Sequence, residues 1–181
     1  YRTMLHDRVA LVGTPDYGLP DADPGYYYSQ LVLRADDPGG FADHLTQRLA
    51  YNEAGSQSGW AAPQTHAAAA GGRFHATIAT GSHRESARAV AEGRADIAAI
   101  DAVTWRLIGA HRPALAASLR VLGHTAPTPG LPLITSPQHD ALRIANAVAG
   151  AIADLAASDR DDLGLRDLIA IPAAAYLAIP T

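Results

Sequence analysis

The sequence predicts an α/β fold, and three observations carry that prediction. Phe74 to Ala79 reads as a strand, Arg84 to Glu92 as a helix with Ala87, Val90 and Ala91 inward, and Asp96 to Ile100 as a fully buried strand. Strand, helix and strand at this spacing form a βαβ unit, whose strands run parallel through a right-handed crossover. The alternation then continues, with a helix near Val103 to Ala110, a strand at Leu119 to Leu122 and an apolar run at Leu131 to Thr135. Finally, 181 residues at 48% apolar composition suit one compact domain or two small lobes with a real core.

The remaining elements follow in chain order. Asp7 to Gly13 reads as a short buried strand, and the Pro, Gly and Asp residues between Thr14 and Gly25 as a loop. Tyr28 to Arg34 is rich in β-formers, and Asp36-Asp-Pro-Gly-Gly40 breaks it. Phe41, Leu45 and Leu49 recur at the spacing of an amphipathic helix, with Asp43, His44, Gln47 and Arg48 on the wetter face. Tyr51 to Glu53 is a candidate for a very short strand, followed by Gly55-Ser-Gln-Ser-Gly59 and an alanine-rich helix that ends at Gly71-Gly72. Near the end, Leu142, Ala145, Ala149, Ile152 and Ala156 mark one face of a long helix. Extended, Pro-bearing segments around Tyr28 to Asp37 and Gly123 to Ser136 separate the central block from what flanks it, as in a two-lobed protein with a hinge.

Two absences exclude whole chemistries. All fourteen Lys+Arg residues are arginine, so no lysine is present to form a Schiff base or complete a G-x-x-x-x-G-K-[ST] loop. No cysteine is present either, which removes disulfides, thiol nucleophiles and cysteine metal sites. A net charge of −4 argues against a nucleic-acid partner, which calls for a clustered basic face. The longest alanine run, Ala67 to Ala70, is far below the roughly 20 apolar residues of a membrane span. The eight histidines show no metal-binding spacing, so neither a metal nor a cofactor is expected. The chain begins at Tyr1 without an initiator Met, and no signal region is visible in it.

Candidate chemistry gathers at the ends of strands. Ser56-Gln-Ser-Gly59 precedes a helix, where backbone N–H groups and the helix dipole can hold an anion; a plain N-cap explains the same residues. Pro63 makes the start of this helix irregular. The stretch Gly55 to Gly59 is not a hydrolase elbow, because its central residue is Gln57. Ser82 with Glu85 forms a capping box that starts a helix at the C-terminal end of a strand and places His83 in its first turn. Asp101 follows the buried strand, with Trp105 four residues on; it suits either an acceptor for a ligand donor or another helix cap. In a parallel sheet these turns open on one edge, an arrangement suited to a tetrahedral oxyanion.

The runs Tyr28-Ser-Gln-Leu-Val-Leu-Arg-Ala-Asp-Asp-Pro38, Asn52-Glu-Ala-Gly-Ser-Gln-Ser-Gly59, Thr80-Gly-Ser-His83 and Ala89-Val-Ala-Glu-Gly-Arg-Ala-Asp-Ile-Ala-Ala-Ile-Asp101 appear in an order and spacing that carry a resemblance. Together they resemble the phosphonate-binding family of ABC-transporter substrate-binding proteins, which take up phosphate, phosphite and phosphonate. Thr125-Ala-Pro-Thr-Pro-Gly-Leu-Pro132 looks like that family's return hinge. The resemblance implies a type II periplasmic-binding-protein fold, two α/β lobes with a hinge. Residues 1–35 and 124–181 would form the first lobe with the hinge segments, and 36–123 the second. The first lobe would be represented only by its later part, as in a truncated chain. By resemblance, Ser56, Gln57, Ser58 and His83 hold the oxyanion, with Ser82 beside them. Asp101 meets the amino end of an aminoalkylphosphonate, and Tyr28 faces the cleft. Gln57 stands where the best-known phosphonate binders carry Thr.

The function this implies is non-enzymatic capture of a phosphonate, phosphate or related oxyanion in an interlobe cleft, with ABC-transporter membrane subunits as partners and a periplasmic or extracytoplasmic location. A Ser/His hydrolase and an orphan sensor domain for another small organic ligand are the alternatives.

Overall fold

The computed structural model describes Tyr1 and residues 3–180. The chain divides into two compact units, one made of Tyr1–Tyr27 with Pro127–Ile179 and the other built from Tyr28–Ala126. In order, the elements are β1 (Ala10–Asp16), β2 (Tyr26–Tyr27), β3 (Ser29–Arg34), α1 (Phe41–His44), β4 (Arg48–Tyr51) and a π-helical turn (Gln57–Ala61) that leads into α2 (Ala62–Ala69). They continue with β5 (Ala76–Ala79), α3 (His83–Ala91), β6 (Ile97–Asp101), α4 (Ala102–His111), α5 (Pro113–Ala117) and β7 (Leu119–His124). The rest are β8 (Thr128–Pro129), β9 (Leu133–Thr135), α6 (Ala141–Ala153), α7 (Ala157–Leu163), β10 (Asp167–Ile169) and α8 (Ala173–Leu177). Among the described residues, no single helix is long and apolar enough to cross a membrane.

The unit built from Tyr28–Ala126 is a five-stranded mixed sheet in the order β5-β4-β6-β3-β7. β4 runs parallel to both β5 and β6, whereas β3 is antiparallel to β6 and β7. The predicted βαβ unit is therefore present as β5-α3-β6, with β4 lying between its two strands. Alternate residues of the central strands feed two cores. Val32, Ala50, Ala98 and Ile100 meet Ala87 and Val90 of α3 and Ile108 of α4 on one face. Leu33, Leu49 and Ile97 meet Ala67 of α2, Phe74, Phe41 and Leu45 on the other. Arg48 ties the start of β4 to the start of β6, its guanidinium donating to both carboxylate oxygens of Asp96 at 2.8 and 2.9 Å.

The other unit holds a three-stranded antiparallel sheet, β10-β1-β9, with α6 packed on β1 and β10, and a small β2-β8 pair. Asp16, buried at the end of β1, accepts from the N–H groups of Gly18 at 3.0 Å and Gly25 at 3.2 Å and so closes the loop that follows. Gly130 packs where a Cβ would come within 2.9 Å of the Gly25 carbonyl, its own N–H partner.

Four expectations need correction. The Phe41, Leu45, Leu49 stripe is not one helix: α1 ends at His44, and Leu49 lies in β4. The spacing misled because consecutive elements bury these residues in the same core. β1 runs on to Asp16, where Thr14 to Asp16 pair with β10, so part of the expected loop is strand. On α6, Ala145, Ala149 and Ile152 face inward with Ile144 and Val148, whereas Leu142 is 71% exposed and Ala156 lies past the helix end.

His44, expected on the wet face of its helix, is instead buried. Its Nδ1 lies 2.7 Å from the Gly40 carbonyl and its Nε2 3.0 Å from an Asp37 carboxylate oxygen. Gly39 lets the ring approach, since a Cβ there would lie 2.7 Å from His44 Cε1. Arg120 of β7 locks the same loop by donating to the Asp37 and Gly39 carbonyls. The His44 hydrogen bond, then the Gly39 N–H, holds the Asp37 carboxyl below the usual carboxylate range. A depressed folded pKa means that this stability is present above the unfolded value near 3.8 and is lost as pH falls through the folded one. His44→Leu is expected to lower unfolding stability by about 1–3 kcal/mol in urea titrations at pH 7 and to flatten the acid loss. An unchanged urea midpoint contradicts this role for His44.

Candidate functional site

Four strand ends and one strand start converge on a single edge of the five-stranded sheet. Because β4, β5 and β6 are parallel, the segments that follow them leave from the same side: Asn52 to Gly59, Thr80 to His83, and Asp101. β3 is antiparallel to β6 and begins there, with Ser29 opposite Asp101; β7 ends there, with Gln30 opposite His124. The carboxyl edge of parallel strands is the usual ligand edge of open α/β sheets.

The turn after β4 is an unusual one. Ser56 caps it, accepting from the Gly59 N–H at 3.0 Å. The Ala61 N–H reaches back five residues to the Ser56 carbonyl and the Ala62 N–H five residues to Gln57, which makes the turn π-helical. The next bond in that pattern would run from residue 63 to the Ser58 carbonyl, but Pro63 has no N–H. Ser29 supplies the missing donor, its hydroxyl donating to the Ser58 carbonyl at 2.8 Å. Ser29 is itself held by Thr125, whose Oγ1 accepts from the Ser29 N–H at 3.0 Å. Ahead of the first intrahelical bond, the Gln57 and Ser58 N–H groups point out of the turn.

The Ser58 side chain is buried, and its Oγ lies 2.8 Å from His83 Nε2 and 3.5 Å from Ser56 Oγ. Three predicted residues, Ser56, Ser58 and His83, are thus brought into one hydroxyl and imidazole chain. Ser82 caps α3, accepting from the Glu85 N–H at 3.2 Å. The reciprocal half of the expected capping box is replaced by ion pairs, with Glu85 on Arg84 and Arg88. Gln57 is the first residue of the π-helical turn, directly after the Ser56 cap.

Asp101 caps α4 by accepting from the Thr104 N–H at 2.8 Å, one of its two expected roles. Its charge still reaches His83. Burial pushes the His83 imidazole below its ordinary value, opposed by Asp101 and by the Ala99 backbone, so the ring is neutral at pH 7. Among the described residues, His83 Nδ1 makes no hydrogen bond of ordinary geometry. Tyr28 is buried just before β3, its carbonyl accepts from the Ala102 N–H at 3.1 Å, and its ring lies 4.4 Å from that of His124.

Sequence reasoning missed Ser29 and Thr125. Ser29 is a lone hydroxyl in a β-former run, and the only hint of its role is Pro63, 34 positions away, which leaves a carbonyl without a donor. No group of three or more His, Asp or Glu able to hold a metal occurs among the described residues.

The sequence matches a family profile described as ABC transporter, phosphonate, periplasmic substrate-binding protein, over residues 6–174. Among curated proteins none matches. Solved structures share the fold. PhnD1 from Prochlorococcus marinus (MIT 9301), in complex with methylphosphonate, superposes with a TM-score of 0.76 at 14% identity, over 93% of this chain and 68% of its own. XAC2383 from Xanthomonas citri, bound to chloride ion, gives 0.72 at 17% identity over 94% of this chain and 67% of its own. A binding protein component of an ABC phosphonate transporter (PA3383) from Pseudomonas aeruginosa gives 0.68 at 21% identity over 91% and 57%. The fold is therefore that of type II periplasmic binding proteins, and this chain spans about two thirds or less of the length of these structures. With the family profile matched over almost its whole length, the chain belongs to the phosphonate-binding family of periplasmic ABC-transporter substrate-binding proteins.

Proposed function

We propose that the Ser56, Ser58 and His83 cluster binds the oxyanion head of a phosphonate or phosphate, and that the protein delivers this ligand in the periplasm to ABC-transporter membrane subunits without chemically changing it. The observation that carries the reading is the 2.8 Å Ser58 to His83 contact at the mouth of a π-helical turn, beside the N-terminus of α3. Two hydroxyls, the leading N–H groups of two helical segments and one imidazole offer donors on one edge. A phosphonate oxyanion accepts from such donors without needing a buried cation. Gln57 and Ser82 border the cluster, and Tyr28 and Asp101 stand on the same sheet edge, where Asp101 would favour a ligand carrying an amino group.

The hydrolase alternative draws on the same contact, since a serine 2.8 Å from a histidine has the separation of a nucleophile and its base. The orienting acid is missing from that arrangement. Nδ1 of His83 meets no carboxylate, and Asp101 spends an oxygen on the α4 cap. Ester or phosphomonoester turnover that disappears in Ser58→Ala would favour catalysis over carriage.

By calorimetry with methylphosphonate or inorganic phosphate, Ser58→Ala and His83→Gln are each expected to weaken binding by about tenfold or more, the effect of losing one hydrogen bond to a charged group, about 1.5–3 kcal/mol. Wild-type affinity in both variants refutes the assignment.

The neutral His83 gives a second check. Its folded pKa lies below the unfolded value near 6.5, so the unfolded chain takes up the proton first as pH falls. Stability from this group is full above about pH 6.5 and declines on acidification through that value towards the folded one. The melting temperature of the wild type should therefore drop more between pH 7.5 and pH 5.5 than that of His83→Gln. Equal drops in the two proteins would exclude a buried neutral imidazole.

A further inference from the structure

The segment that follows Ser56 has two helical registers open to it. In the α register the Ala62 N–H would meet the Ser58 carbonyl, and the Gly59 carbonyl would need its donor from residue 63. In the register observed, the Ala61 and Ala62 N–H groups reach one residue further back, to Ser56 and Gln57, and it is the Ser58 carbonyl that needs a donor from residue 63. Pro63 has no N–H to give in either case, so one carbonyl is left short whichever register forms. The two registers differ in what else can reach that carbonyl. The buried Ser29 hydroxyl donates to the Ser58 carbonyl at 2.8 Å, and so completes the π register from another strand. Thr125 fixes Ser29 in place through two bonds of 3.0 Å, accepting from the Ser29 N–H at its Oγ1 and donating its own N–H to the Ser29 carbonyl.

We propose that Ser29 is a positioning residue for the oxyanion: by satisfying the Ser58 carbonyl it holds the turn in its π register, the one in which Ser58 Oγ lies 2.8 Å from His83 Nε2. The proposal rests on the reading of Ser56, Ser58 and His83 as the anion-binding cluster. Ser29 itself does not touch the anion; it acts through the backbone of the residue whose hydroxyl does. Without the Ser29 hydroxyl, a buried carbonyl lacks a donor, and the N–H able to supply one is that of Ala62. Taking it moves Ala62 from Gln57 to Ser58 and tightens the turn from i→i+5 to i→i+4 bonds. Ser58 then turns about the helix axis, its Oγ leaves His83, and the hydroxyl and N–H groups at the start of the turn no longer share a direction with the start of α3. The α register is the commoner helical geometry, so the π turn persists here because one side chain from β3 favours it.

Variants of the full chain at Ser29 separate this role from plain structural support. In calorimetry with methylphosphonate or inorganic phosphate, Ser29→Ala is expected to bind about tenfold or more weakly than the wild type, and Ser29→Thr, which keeps the hydroxyl, within about threefold of it. A crystal structure of Ser29→Ala is expected to show the Ala62 N–H on the Ser58 carbonyl and Ser58 Oγ out of reach of His83. A Ser29→Ala protein that loses stability but keeps wild-type affinity overturns the proposal, and so does one that keeps the Ala62 to Gln57 bond. Ser29→Thr binding as weakly as Ser29→Ala points to packing instead of the donor and also counts against it. If Ser29→Ala fails to fold, Ser29→Cys decides, because a thiol is a weak donor: its affinity must fall below that of Ser29→Thr, and equal affinities overturn the role. If neither anion binds the wild type while the turn changes register in Ser29→Ala, the positioning of Ser58 by Ser29 stands and the oxyanion reading falls.

Discussion

The site depends on the position of β4, parallel to β5 on one side and to β6 on the other. A strand so placed forces three connections to leave one edge of the sheet, and their first residues become neighbours whatever their separation in sequence. Ser58 and His83 are 25 residues apart and touch for this reason alone. The register extends past the strands, since the Tyr51 and Asn52 carbonyls accept from the Thr80 and Gly81 N–H groups and carry the alignment into the two turns. Leu49, Ala50, Ile97 and Ala98, fully buried between two layers of helices, hold β4 and β6 in that alignment.

Within that frame, a single missing amide proton shapes the π-helical turn. Pro63 cannot complete the hydrogen-bond pattern of the turn, and a buried carbonyl without a donor costs about 1–3 kcal/mol. Ser29 offsets that loss from another strand, and Thr125 fixes Ser29 in turn. The widened turn places Ser58 Oγ on His83, while Gly59 keeps the backbone thin enough for Asn52 and His83 to lie against it. Both Ser29 and Thr125 stand near the points where the chain passes between its two compact units, at Tyr27–Tyr28 and Ala126–Pro127. The groups that shape the turn are thus also those nearest the crossings.

The sequence makes the α/β class and the three strand-end turns legible because these are local signals. Ser82 followed by Glu85, Ser56 before Gly59 and Asp101 after a run of Ile and Ala announce helix starts without reference to the rest of the chain. What stays hidden is set by contacts between distant segments. His44 reads as a wet helical residue until Asp37, Gly40 and the Arg120-locked loop enclose it. Leu49 reads as a third helical turn because the core it fills is shared with Phe41 and Leu45. Ser29 carries no local mark at all: it waits on a proline in another element. Periodicity records which residues are buried, but not which element delivers them there.

A chain without lysine has a particular way of holding an anion. Arginine is the only permanently charged cationic side chain it has, and several arginines of the central unit are paired with carboxylates or carbonyls: Arg48 to Asp96, Arg94 to Glu92, Arg88 to Glu85 and Glu92, Arg120 to the Asp37 loop. The third helix start at the edge, that of α4, is filled by the Asp101 carboxylate. At the sheet edge stand two hydroxyls and a neutral imidazole, positioned by the fold. Neutral donors discriminate by geometry where a cation attracts any anion of sufficient charge. A binding protein that must release its cargo gains from that choice, because hydrogen bonds aligned by a turn are lost together when the turn or its neighbours move. The Ser58 to His83 contact is a pair of neutral groups held in place by backbone that Pro63 and Ser29 shape, not by a charge.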